Sequence, residues 1–132
     1  MNTSLKLVVS LPFVVAILVV NQQAVAAPVD AKTARVLISD RNWEMKQVKG
    51  AGGHWSWKSD GTACLRLFEK GGRCDDSGRW TLEGERMCYE LGWWGQGFGM
   101  KSACYRIDDL GKGRYGALQD NGLMLFEFRI SK

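Results

Sequence analysis

Histidine is all but missing from this chain, and the motifs that accompany much catalytic and metal chemistry are missing with it. His54 is the only histidine, and no C-x-x-C pair, haem-attachment motif or G-x-S-x-G elbow occurs. The sequence therefore argues against a zinc site, a thioredoxin-type redox pair and a serine hydrolase, and no cofactor or metal is expected. A basic block is also lacking. The 18 Lys and Arg are scattered among 14 Asp and Glu for a net +4, without the cationic stripe of a nucleic-acid binder. So mild an excess suits anionic envelope surfaces or acidic partners. After residue 26 no apolar stretch is long enough to cross a bilayer, and no repeat, low-complexity segment or linker divides the chain.

What is present begins with a leader. Lys6 precedes an apolar run from Leu7 to Val20, followed by Ala24-Val25-Ala26, the small-residue spacing that signal peptidase accepts. The run, about 14 residues, is shorter than the roughly 20 that span a bilayer. Cleavage is expected after Ala26, since Pro28 directly after a cut would make a poor substrate. No Cys follows to carry a lipid anchor. The expected layout is a signal peptide at 1–26 and one monomeric domain at 27–132, periplasmic or secreted, where disulfides persist.

Six Trp and 16 Gly are many for this length. Glycine outside any collagen-like period signals turns, and aromatic residues between turns signal strands. Asp30 is placed to cap a short helix over 31–38. Strands are predicted near 43–48, 53–58, 62–69, 79–83, 86–92, 98–107, 113–119 and 123–130. The turns between them fall at Gly50 to Gly53, Asp60-Gly61, Gly71-Gly72, Gly84-Glu85, Gly95 to Gly97, Gly111 to Gly113 and Asn121-Gly122. This even spacing predicts an all-β fold, a small antiparallel meander of about eight strands closed or nearly closed into a barrel.

Side-chain alternation tests the register. A three-residue loop, Ser59 to Gly61, sets Trp57 against Ala63 and Trp55 against Leu65, keeping apolar residues on one face. At Asn121-Gly122 a two-residue type I′ turn is favoured, pairing Tyr115 with Phe128 and Ala117 with Phe126. The hairpin at Gly84-Glu85 turns Trp80, Leu82, Met87, Tyr89 and Leu91 inward. It leaves Arg79, Thr81, Glu83, Arg86, Cys88 and Glu90 outside.

Cys64, Cys74, Cys88 and Cys104 allow three connectivities, among which sequence alone does not choose. Strand faces favour Cys88–Cys104, since both are expected on the outer face of neighbouring strands. Cys64–Cys74 is then left to close the Gly71-Gly72 loop.

His54 has no evident nucleophile or orienting acid, and reads as a surface or turn residue. Asp75-Asp76, Glu83, Glu85 and Glu90 show no pairing suited to glycoside hydrolysis. Asp75-Asp76-Ser77-Gly78 reads as an Asx-type turn rather than a calcium loop. The most suggestive stretch is Trp93-Trp94-Gly95-Gln96-Gly97-Phe98-Gly99. Adjacent strand residues face opposite ways, so at least one Trp belongs in the core. The other, on a Gly-rich loop, either packs at a barrel end or contacts a sugar or a protein partner.

Several of these residues recur in a recognisable order: Trp43, Gly53-His54-Trp55, Asp60-Gly61, Gly78-Arg79-Trp80, Met87-Cys88-Tyr89, Trp93, Cys104-Tyr105-Arg106, Tyr115 and Phe126-x-Phe128. The pattern covers most of the chain after the leader. It resembles the small exported proteobacterial proteins grouped as domain of unknown function nine hundred ninety-five. The resemblance implies a shared Cys88–Cys104 bridge, with Cys64 and Cys74 an addition of this chain, and it carries no activity or catalytic residue. A narrower resemblance, from Trp55 to Cys64-Leu65-Arg66-Leu67, is to a hairpin of bacterial metalloprotease inhibitors.

The function expected is thus a non-catalytic binding module for a protein or an envelope glycan, with Trp93, Trp94, Phe98, His54, Asp75 and Asp76 as its contact residues. An inhibitor of a protease or lysozyme is the nearest alternative. A calycin-like carrier of a small apolar ligand would need a hollow barrel, and the many large apolar residues argue for a filled one.

Overall fold

The computed structural model describes residues 26–47, 52–68 and 70–131, with only the backbone of Gln47 and Phe98. The expected leader before Ala26, the strand end at Val48, Gly50 of the first turn and Glu69 lie outside the described residues. Nine strands and one α-helix follow in chain order: β1 Ala27–Pro28, α1 Ala31–Ile38, β2 Arg41–Gln47, β3 Gly52–Trp57, β4 Thr62–Arg66, β5 Asp76–Glu83, β6 Arg86–Leu91, β7 Ser102–Gly111, β8 Arg114–Leu118 and β9 Met124–Ile130. Strands β2 to β9 form an antiparallel barrel, sealed where β2 meets β9 and with β7 paired to β8. The two-residue β1 adds to β7 at Asp108 and Asp109.

Helix α1 spans the expected residues. Asp30 caps it by accepting a hydrogen bond from the Thr33 amide at 2.7 Å. Its buried face, Ala34, Leu37 and Ile38, closes one end of the barrel. The Trp43 indole N–H donates to the Leu37 carbonyl there at 2.7 Å, joining helix and strand.

Registers agree with alternation in both hairpins tested. Trp57 faces Ala63 and Trp55 faces Leu65 across a three-residue loop, with Gly61 at φ 85°. Tyr115 faces Phe128 and Ala117 faces Phe126. The turn joining that second pair is not the expected type I′. The Gln119 amide donates to the Leu123 carbonyl across a three-residue loop, and a register shift at Ala117/Leu118 absorbs the extra residue. Only Gly122, and not Asn121, has a positive φ, whereas a type I′ turn needs both.

The predicted strand at 98–107 is displaced. β7 runs from Ser102 to Gly111 because residues 92–101 are consumed by a loop. Gly95 and Gly99 are left-handed there and flank a 3-10 turn at Gln96–Phe98. β5 begins earlier than predicted, at Asp76.

Aromatic rings fill the interior. Trp43 stacks on Phe128 at 3.7 Å between centroids, and Trp55 on Trp57 at 4.7 Å. Contacts also cross between strands that are not neighbours. Trp55 of β3 meets Tyr89 of β6 at 5.1 Å, and Tyr105 of β7 meets Phe126 of β9 at 5.3 Å. Rings from opposite walls touching one another leave little of the space a carried ligand would occupy. The indole N–H groups of Trp55 and Trp57 have no acceptor, so packing alone must offset a cost of about 1–3 kcal/mol each.

Both disulfides match the strand-face reading: Cys64–Cys74 and Cys88–Cys104. Cys88 and Cys104 are direct cross-strand partners with Cα atoms 4.1 Å apart. No helix among the described residues is long and apolar enough to cross a membrane.

Candidate functional site

Antiparallel alternation puts the β2–β3, β4–β5, β6–β7 and β8–β9 connections at one end of the barrel, opposite the helix-closed end. The β4–β5 and β6–β7 loops, residues 67–75 and 92–101, contain most of the sequence-predicted contact residues.

Trp93 and Trp94 diverge, although both lie in the loop and not in a strand. Trp94 is 6 % exposed and meets Trp55 edge-to-face at 5.8 Å, closing the barrel. Trp93 is 53 % exposed. Asp76, expected as a contact residue, is instead buried and fixes their backbone. One of its carboxylate oxygens accepts from the amides of Ser77 (2.8 Å) and Gly92 (3.2 Å). The other accepts from Trp93 (2.9 Å) and Trp94 (2.8 Å). Burial pushes the Asp76 pKa up, but the four donated N–H bonds outweigh it and hold the carboxyl below its usual range. Gly92 is required beside it, since a Cβ there would lie 2.6 Å from an Asp76 oxygen.

The loop is tied down further by the Tyr89 hydroxyl, which donates to the Met100 carbonyl at 2.7 Å. The Met100 amide donates to Gly95 and the Leu91 amide to Lys101. Burial raises the Tyr89 pKa well above its ordinary value, keeping the hydroxyl a donor. Trp93 is thus a half-exposed ring on a rigid base.

Asp75 is exposed, and its carboxylate accepts from the Leu67 amide at 2.8 Å within the loop closed by Cys64–Cys74. His54 stands part-buried on the outer face of β3, between Glu44 of β2 and Arg66 of β4. Its Nδ1 has no hydrogen-bond partner. The side chain of Phe98 lies outside the described residues.

Sequence reasoning missed Phe68, 88 % exposed in the β4–β5 loop, and Leu123, 64 % exposed in the β8–β9 loop. Met124 beside it is exposed as well. Phe68 was read as part of a strand, where alternation would have given it a packing partner. Its position just before the Glu69-Lys70-Gly71-Gly72 turn is the signal that it stands on a loop.

No group of three or more His, Cys, Asp or Glu side chains among the described residues is arranged to hold a metal ion. No family model matches the chain, and no curated protein or solved structure is significantly similar to it.

Proposed function

We propose that this chain is an exported, non-catalytic binding module that recognises a protein or an envelope glycan through the loop end of its barrel. One observation carries the reading. Of the large apolar side chains exposed among the described residues, all but Val36 belong to that end: Phe68, Trp93, Leu123 and Met124. Exposed apolar side chains on three loops of the same end make that end the candidate contact surface. Two disulfides suit an oxidising compartment outside the cytoplasm. Asp76 is spent on four backbone amides and held ionised, a poor general acid or base. His54 is on the outer face, and its Nδ1 has no hydrogen-bond partner among the described residues.

The test is the oxidised protein as bait in an envelope extract, compared with Trp93→Ala. A half-exposed ring at an interface centre typically contributes 2 kcal/mol or more, so retention should fall about tenfold or more with the fold intact. Val36→Ala, at the helix-closed end, should retain the partner. Equal retention by folded Trp93→Ala would reject the loop end as the contact surface.

A further inference from the structure

The charges around the loop end are partnered unequally. Three of its carboxylates are engaged internally: Asp75 by the Leu67 amide, Asp76 by four amides, and Asp120 by an ion pair with Arg86 at 2.9 Å. Glu90, opposite Ser102 at the end of β6, is exposed and is the one acid set against three cations. Glu69 lies outside the described residues. Among the described residues, the cations Lys70, Arg73 and Lys101 have no side-chain hydrogen bond or ion pair. Arg66 is pinned with its Nε on the Gly72 carbonyl (2.8 Å) and one terminal nitrogen on the Ser56 hydroxyl (2.9 Å). Both loops that carry an exposed aromatic ring therefore also carry unpartnered positive charge.

We infer that the occupant of this end is a protein presenting an acidic patch beside apolar side chains, with Lys70, Arg73 and Lys101 facing the acids and Phe68 and Trp93 the apolar centre. This deepens the proposed function and rests on it. A sugar site would set convergent polar groups around a stacking ring. Here the polar groups under Trp93 are already satisfied, and the remaining apolar contributors include aliphatic Leu123 and Met124. An anionic bilayer would favour cations on every inserted loop, yet the Leu123 loop carries Asp120 and no cation. A mosaic of two cationic loops and one neutral-to-acidic loop is matched residue by residue only on a folded partner.

The test pans a random-peptide phage library on the oxidised protein, then titrates a synthetic enriched peptide by fluorescence anisotropy. Enriched peptides should combine Asp or Glu with aromatic or aliphatic residues. Binding should weaken about tenfold or more in Trp93→Ser and in Phe68→Ser. It should weaken in Arg73→Glu and recover with a peptide whose acids are changed to Lys. Val36→Ser should bind normally.

Enrichment of basic or uncharged peptides, or no recovery on charge reversal, would overturn the inference. Parallel arms use an immobilised glycan panel, vesicles of phosphatidylcholine with phosphatidylglycerol, and sedimentation for self-association. Trp93-dependent binding in one of these arms, without peptide binding, overturns the acidic-protein assignment and leaves the loop end standing as a contact surface. Failure of every probe, or binding indifferent to Trp93 and Phe68, overturns both.

Discussion

Asp76 does two things that its neighbour Asp75 does not, and only three-dimensional placement separates them. In the sequence they are adjacent acids before a Ser-Gly turn, and both read as contact residues. In the fold Asp76 turns inward, and its oxygens replace the missing partners of four amides where β5 meets the β6–β7 loop. Because its folded pKa is depressed, the stabilisation is fully present above the unfolded value near 3.8 and is lost as pH falls through the folded value. The loop end should therefore loosen below about pH 4. Asp76→Asn turns an acceptor into a donor facing amides, and should cost about 2–3 kcal/mol at neutral pH. It should also flatten the acid limb of the stability profile. Thermal melts from pH 3 to 7 check both, and an unchanged acid limb would refute the assignment. The divergence of Trp93 and Trp94 was expected from strand alternation, yet both lie in the 92–101 loop, where the amides bound to Asp76 rather than a pleat set their directions. Which of the two is buried was not legible, since that depends on Trp55 waiting beneath Trp94.

Hairpins were the most readable elements, and their alternation fixes which residues face inward. In the β5–β6 hairpin Trp80 opposes Tyr89 and Leu82 opposes Met87, as the apolar pattern requires. Gly78 explains how closely these strands approach. A Cβ built there would lie within 1.8 Å of the Glu90 carbonyl oxygen, so Gly78→Ala must push β5 from β6. A loss of about 3 kcal/mol is expected, or on the order of 10 °C in Tm, measurable by calorimetry. A neutral Gly78→Ala would mean the strands part without cost. Loops were less readable than hairpins. Glycines in the 92–101 segment looked like a tight turn leading into a strand at residue 98. Their two left-handed positions instead build a ten-residue cover over the barrel. At Asn121-Gly122 the composition suited a two-residue turn, and the bulge at Ala117/Leu118 that changes it has no sequence mark of its own.

The barrel as an architecture was legible because strand rhythm, turn residues and cysteine faces all agreed. Its contact end was legible only in part, since exposure is set by what the rest of the chain leaves uncovered. Every strand of the closed ring lends a side chain to one aromatic interior, and both disulfides brace it. Unfolding with the disulfides intact should therefore be a single transition, with tryptophan emission and far-UV circular dichroism superimposing in urea. Separate midpoints would show that the two halves of the ring come apart independently.

The seam between β2 and β9 joins residues 43–47 to residues 126–130, more than 75 positions along the chain. A chain that emerges N-terminus first cannot complete that seam until Ile130 has emerged. Contacts of such long sequence separation form late and slowly. Until then the apolar rings stay wet and the thiols stay open to mispairing, so closure of the β2–β9 seam, rather than formation of the helix, is the moment at which the barrel becomes safe from aggregation.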